Sequence, residues 1–165
     1  MTTPEPGIDQ AAESNSAIAE PKPPVVCDMT GARDTAPQRL TEYARLFQAA
    51  YLGRDRDYAG VRWLLRADPG IEELARDLAS REDACCAFMT NTVSREGDLV
   101  IWHATTIDDQ AARAVLDMFY DLPVHRLNGA PEVEDALHRW SAAGVPIMMR
   151  EGDTMRPATT EEIRG

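Results

Sequence analysis

Leu40, Tyr43, Phe47 and Tyr51 recur at the spacing of one helical face along "DTAPQRLTEYARLFQAAYLG". Pro37 falls in the first turn and Gly53 supplies a stop, so the pattern predicts an amphipathic helix. "GVRWLLRA", residues 60–67, is a short apolar run that reads as a strand, although its apolar centre fits a buried helix segment nearly as well. Ile71, Leu74, Ala75, Leu78 and Cys85 then form a second helical stripe, which Asp68-Pro69 is expected to cap. From Cys86 the period falls to two. "CCAFMTNTV" and "LVIWHATT" predict a hairpin across Arg95-Glu96-Gly97-Asp98. A helix over 108–121 follows, with Ala112, Val115, Leu116 and Phe119 inward and Pro123 just beyond its end. A further helix over 131–143 presents Val133, Ala136, Leu137 and Trp140, stops at Gly144 and leads into "VPIMM", a last short strand. Near the start, "PVVCDM" reads as a first strand with Val25, Cys27 and Met29 on one face.

The order β-α-β-α-β-β-α-α-β predicts an α+β fold, with helices packed on one face of a small, mostly antiparallel sheet. Over 24–121 it fits a ferredoxin-like variant, in which the first strand is central. Residues 1–24 hold five of the eleven prolines and almost nothing large and apolar, which predicts a disordered leader. A single domain is expected over 25–149, and the polar, aperiodic stretch 150–165 is expected to be a flexible tail.

Charge narrows the partners. There are 28 acids against 17 bases, a formal net charge of −11, and clustered Lys and Arg for phosphate contacts are missing. Nucleic acid and anionic membrane surfaces are therefore not expected partners. No apolar run approaches the roughly 20 residues that span a bilayer. The first residues carry neither the basic nor the apolar region of a signal peptide. Three cysteines, two of them adjacent, cannot make a disulfide framework, so a reducing cytoplasm is the expected compartment.

The remaining chemistry is carried by those cysteines. Cys85 continues the second helix's stripe, and Cys86 is expected to begin the next strand on the face of Phe88 and Thr90. A helix C-terminus disfavours negative charge, Glu82 and Asp83 precede the pair, and Arg81 is the only base nearby in the chain. A nucleophilic thiolate is therefore not expected, nor is thiol catalysis. A thiophilic metal or metalloid ion is less constrained, because the ion itself deprotonates its ligands. Cys27, Cys85 and Cys86 form a candidate trigonal site for Hg(II), As(III), Cu(I) or Zn(II), with Glu82 as an added ligand or outer acceptor. That arrangement requires the first strand to run beside the strand starting at Cys86. The competing reading makes the sulfurs core residues, since free cysteine is among the most buried residue types. The chain is then an interaction module that docks a protein partner or a second copy through Trp140 and Met148-Met149. If Ser94 pairs with Leu99, His103 lies four residues from Cys86 along the ladder, about 13 Å, too far to share an ion. His125 and His138 are not at metal spacing with one another. Nucleotide-binding loops and hydrolase motifs are absent from the sequence.

"VVCDMT", "LASREDACCAF" and "DDQAARAVLDMFYDLP" together resemble a small actinobacterial domain family. Its pattern is a Cys-(Asp/Thr)-(Met/Leu) strand followed by Glu-x-x-Cys-Cys-x-Phe. Similar segments are appended to some MerR-type regulators. The resemblance covers residues 24–123 and rests on Cys27, Glu82, Cys85, Cys86 and Phe88. It implies a stand-alone domain that senses or binds a thiophilic ligand; no DNA-binding helix-turn-helix is apparent. A weaker resemblance is to alkylmercury lyase, with Cys27, Cys85 or Cys86 and either Asp28 or Glu82 in the roles of thiols and carboxylate.

Overall fold

A computed structural model describes residues 21–125 and 146–164, with Asp135, His138, Arg139 and Ala142 between them. The expected leader falls almost wholly outside the described residues. So does most of the helix expected over 131–143, including Trp140.

Three helices cover one face of a four-stranded antiparallel sheet, as expected of the α+β arrangement. Helix α1, Ala36–Ala50, starts from a capping box in which Thr35 and Gln38 satisfy each other's backbone amides. It ends at Ala50, and Tyr51 enters strand β2, Tyr51–Arg56, directly. Tyr51 therefore does not continue the helical stripe, and the strand was not anticipated. Strand β2 pairs antiparallel with β3, Gly60–Arg66, and is held at the sheet edge by Arg54 and Arg56 over the Tyr120 ring, 4.1 and 4.2 Å from its centroid.

Helix α2, Ile71–Cys85, buries Ile71, Ala75, Leu78, Ala79, Glu82 and Cys85. Its N-cap is Gly70, at φ +83°, rather than Asp68-Pro69, which sit one step earlier. Strands β4, Met89–Glu96, and β5, Leu99–Thr106, close on a two-residue turn with Gly97 at φ +60°. Glu96 pairs with Leu99, so the ladder is shifted by two residues from the expected four-residue loop. Helix α3, Gln110–Asp121, is capped by the Asp109 carboxylate on the amides of Ala111 and Ala112.

Strand order in this sheet is β2-β3-β5-β4. Its inner face supplies Val61, Trp63, Leu65, Val100, Trp102 and Ala104, all at 1% exposure or less. Trp102 stacks on Tyr43 of α1 at 5.4 Å, and Trp63 meets Trp102 edge-on at 5.2 Å, which locks α1 onto the sheet centre. Gly60 approaches β5 so closely that an added Cβ would overlap the Ala104 carbonyl. Gly60→Ala is expected to lower the urea midpoint by the equivalent of about 1–3 kcal/mol, because backbone cannot yield as a side chain does. An unchanged midpoint would show that the two strands are free to separate there.

The first strand does not take the central place of a ferredoxin-like variant. Strand β1 is only Cys27–Asp28 and belongs to a second sheet, order β1-β6-β7. It runs parallel to β6, Ile147–Glu151, which turns at Gly152 into β7, Thr154–Pro157. A short helix α4, Thr160–Arg164, follows. The flexible tail expected from Arg150 is thus corrected: its polar side chains suit a solvent-facing hairpin, with Arg156 paired to Glu151 and Glu162 at 3.0 and 2.7 Å. No helix among the described residues is long and apolar enough to cross a membrane.

Candidate metal centre

Adjacent cysteines at the end of a helix are brought together by the way that helix stops. Cys85 is the last residue of α2, and Cys86 is its C-cap, its amide donating to the Glu82 carbonyl at 2.8 Å. Cys86 is therefore not the start of the strand. It leaves helical geometry at φ −119° and ψ 75°, and its Sγ lies 3.3 Å from that of Cys85. From β1, Cys27 brings the third sulfur to 3.1 Å from Cys86. All three Sγ atoms lie within 4.8 Å of one another, and all three residues are buried free cysteines. The meeting does not need β1 beside β4, as had been expected: β1 lies along β6 and meets the helix end instead.

Glu82 stands one turn before the pair, where i,i+3 and i,i+4 side chains share a face. Its Oε2 is 3.5 Å from the Cys85 sulfur and 3.7 Å from that of Cys86. The sequence had offered Arg81 as the nearby base, yet the cation on the sulfurs is Arg39. Its Nη1 donates to the Cys85 sulfur at 3.1 Å and lies 3.5 Å from Glu82 Oε1. Arg39 is oriented by a two-pronged pair with Asp34, Nε at 2.9 Å and Nη2 at 2.7 Å. Arg81 also holds Asp34, at 2.5 Å, and reaches Glu42 and Asp77 at 2.5 and 2.8 Å. It buttresses the carboxylate that aims Arg39.

These contacts overturn the expectation that no thiolate is favoured. Hydrogen bonds from the Cys27 and Cys86 thiols, then the charge of Arg39, outweigh burial and push the Cys85 thiol down to about 3. Cys27 is pushed well up, first by its hydrogen bond to Cys85; Cys86 is pushed well up, first by its bond to Cys27. Burial, then the neighbouring Cys85 charge, raises the Glu82 carboxyl to about 8. These shifts favour Cys85 as the one thiolate of the three sulfurs and favour the proton on Glu82. The Asp34 carboxyl is held below its ordinary value because Arg39 and Arg81 overcome the cost of its burial.

A cavity of about 20 Å³ adjoins the cluster, lined by Cys27, Cys85, Glu82, Arg39, Tyr43 and Met29 among others. That is room for one water or one ion. The fully buried Tyr43 hydroxyl borders Glu82 without a well-formed hydrogen bond. His103 lies elsewhere, paired in the ladder with Thr92 and 3.6 Å from Asp57. Asp28 turns to the Thr30 amide and to Arg150 rather than to the sulfurs. His138 is exposed, Trp63 and Trp102 are core, and Met148 and Met149 are half-buried in β6. Arg39 was missed, although one signal for it existed: it sits one residue before Leu40 and four before Tyr43, inside the apolar stripe of its helix.

No protein-family model, curated protein or solved structure matches this chain.

Proposed function

We propose that this chain binds one soft metal or metalloid ion through Cys27, Cys85 and Cys86, with Glu82 as an added ligand or outer acceptor. The observation that carries the reading is the convergence of three buried sulfurs from two separate elements, with a fixed arginine against one of them. An ion bound at about 2.3 Å to each sulfur sets them about 4 Å apart in a trigonal plane. The triangle here would need to open slightly, and less for a pyramidal ion such as As(III). Three thiolates around a divalent ion leave one negative charge, which Arg39 is placed to balance. Zinc would call on Glu82 to complete four ligands, whereas Hg(II), As(III) and Cu(I) are satisfied by sulfur. The resemblance on Cys27, Glu82, Cys85, Cys86 and Phe88 points to the same class of ligand. Free thiols of this kind fit a reducing cytoplasm.

A thiolate beside a protonated carboxyl is also what cleavage of a carbon–mercury bond by protonation would use. Binding of an ion needs only the convergent sulfurs, whereas that reaction would also need a seat for the alkyl group beside them. The interaction-module reading keeps only the half-buried Met148-Met149 among the described residues, which is weaker support.

The test is native mass spectrometry of the reduced protein titrated with Zn(II), As(III) and Hg(II). One ion per chain is expected, retained against a small competing thiol and lost in Cys85→Ser/Cys86→Ser. Sulfurs that retain no ion, and that stay unreactive until denaturant is added, would make the cluster packing alone.

A further inference from the structure

Cys27 is the only buried residue among the described positions of β1, β6 and β7. The rest of that sheet is half-buried or exposed, while the four-stranded sheet places a whole face in the core. Val25 and Met29, flanking β1, pack only at the core's margin, and Ile147 of β6 lines the cavity beside the sulfurs. Strand β1 is tied to β6 through the Cys27 amide on the Pro146 carbonyl at 3.3 Å and the Met29 amide on that of Met148 at 3.0 Å. The Arg150 amide donates to Thr30 at 2.5 Å, and α4 touches α1. Little buried apolar surface and many solvent-facing backbone bonds mark a region that opens at low free energy.

We infer that an ion held by the three sulfurs ties the sheet β1-β6-β7 to the end of α2, so that occupancy of the site controls how often this sheet detaches. The inference rests on the ion-binding reading above. Two ligands belong to α2 and its cap, and the third belongs to the small sheet. Detachment carries Cys27 away and leaves the ion on two sulfurs. The ion therefore binds the closed form more tightly than the open one, and that difference shifts the equilibrium toward closure. The output of binding is then a change at the exposed hairpin β6–β7, where half-buried Met148 and Met149 lie, rather than at the sulfurs.

Hydrogen exchange read by mass spectrometry tests this on the full chain, reduced, with and without one equivalent of whichever of Zn(II), As(III) or Hg(II) it retains. Without ion, amides in 25–30 and 147–157 are expected to exchange faster than those of β5. With ion, the same two segments should slow by about tenfold or more, the equivalent of 1.4 kcal/mol, while 99–106 changes less. Cys27→Ser, still able to hold an ion on Cys85 and Cys86, should lose the slowing. Ion retained by the native protein with no slowing in either segment would overturn the inference and leave the binding reading intact. Equal slowing in all segments would also overturn it, as a global effect. No ion retained would overturn both. The comparison within the native protein decides the matter even if Cys27→Ser does not fold.

Discussion

Arg39→Met is expected to lower stability by about 3–5 kcal/mol, the cost of removing one partner from a buried charge pair. Both members of that pair are enclosed: Arg39 is 6% exposed and Asp34 is 7% exposed at the side chain. Methionine fills much of the space but leaves the Asp34 carboxylate with Arg81 alone, and it leaves the Cys85 sulfur with no cation. Urea unfolding measures the loss. The same variant should move the Cys85 titration upward, followed through the ultraviolet absorbance of the thiolate as pH is lowered. The move should stop short of an ordinary cysteine, because the hydrogen bonds from Cys27 and Cys86 are the larger cause of the depressed value and both survive. An unchanged thiolate titration would show that Arg39 serves packing and not the sulfur.

Glu82→Gln is expected to change the slope of stability against pH. In the folded chain the Glu82 carboxyl is raised from 4.5 to about 8, so between these values the folded form holds a proton that the unfolded form has lost. Its contribution is complete below about 4.5 and disappears as pH rises through 8. Cys85 works the other way. Its folded value of about 3 lies below the unfolded 9.0, so its contribution is present above 9 and disappears as pH falls toward 3. Between pH 5 and 8 the two slopes oppose each other and largely cancel. Glutamine keeps the size and removes the titration, leaving Cys85 alone. The stability of the variant relative to the native protein should then rise by about 1.4 kcal/mol per pH unit across that window. Denaturant midpoints at several pH values measure it. Parallel profiles would mean that Glu82 is ionised throughout and that the proton lies elsewhere in the cluster.

What could be read from sequence follows burial. Strands β3, β4 and β5 alternate or run apolar because one face of each meets the helices, and that imprint survives in Val61, Trp63 and Leu65 or in Val100, Trp102 and Ala104. The stripes of α1, α2 and α3 were legible for the same reason. Strand β2 left no such imprint: "YLGRDR" is an edge strand, held through arginines over an aromatic ring, and its Tyr51 falls on the period of the preceding helix. Strand β6 was legible in "VPIMM", whereas β7, "TMRP", was missed because it is a short strand with no alternating apolar imprint, joined to β6 by a local turn at Gly152. At the site the residue types were legible and the geometry was not. The cysteines and Glu82 stand out by residue type and by the adjacency of Cys85 and Cys86, not by a recognised ligand spacing. Arg39 becomes a sulfur partner only when α1 packs on α2, and a two-residue turn at Gly97-Asp98 rather than four shifts the β4 partner of His103 by two residues, to Thr92.

The parallel pairing of Cys27 with Ile147 also sets an order of assembly. Cys85 and Cys86 are chain neighbours and come together as soon as α2 forms, whereas β1 has no strand to lie on until β6 has been synthesised. Long-range closures carry the larger entropy cost and come late in folding. During synthesis the emerging polypeptide therefore exposes a two-thiol half-site long before the three-thiol site exists. On the ion-binding proposal, an ion captured early is held by the pair alone, and three-sulfur coordination waits until the last strands dock.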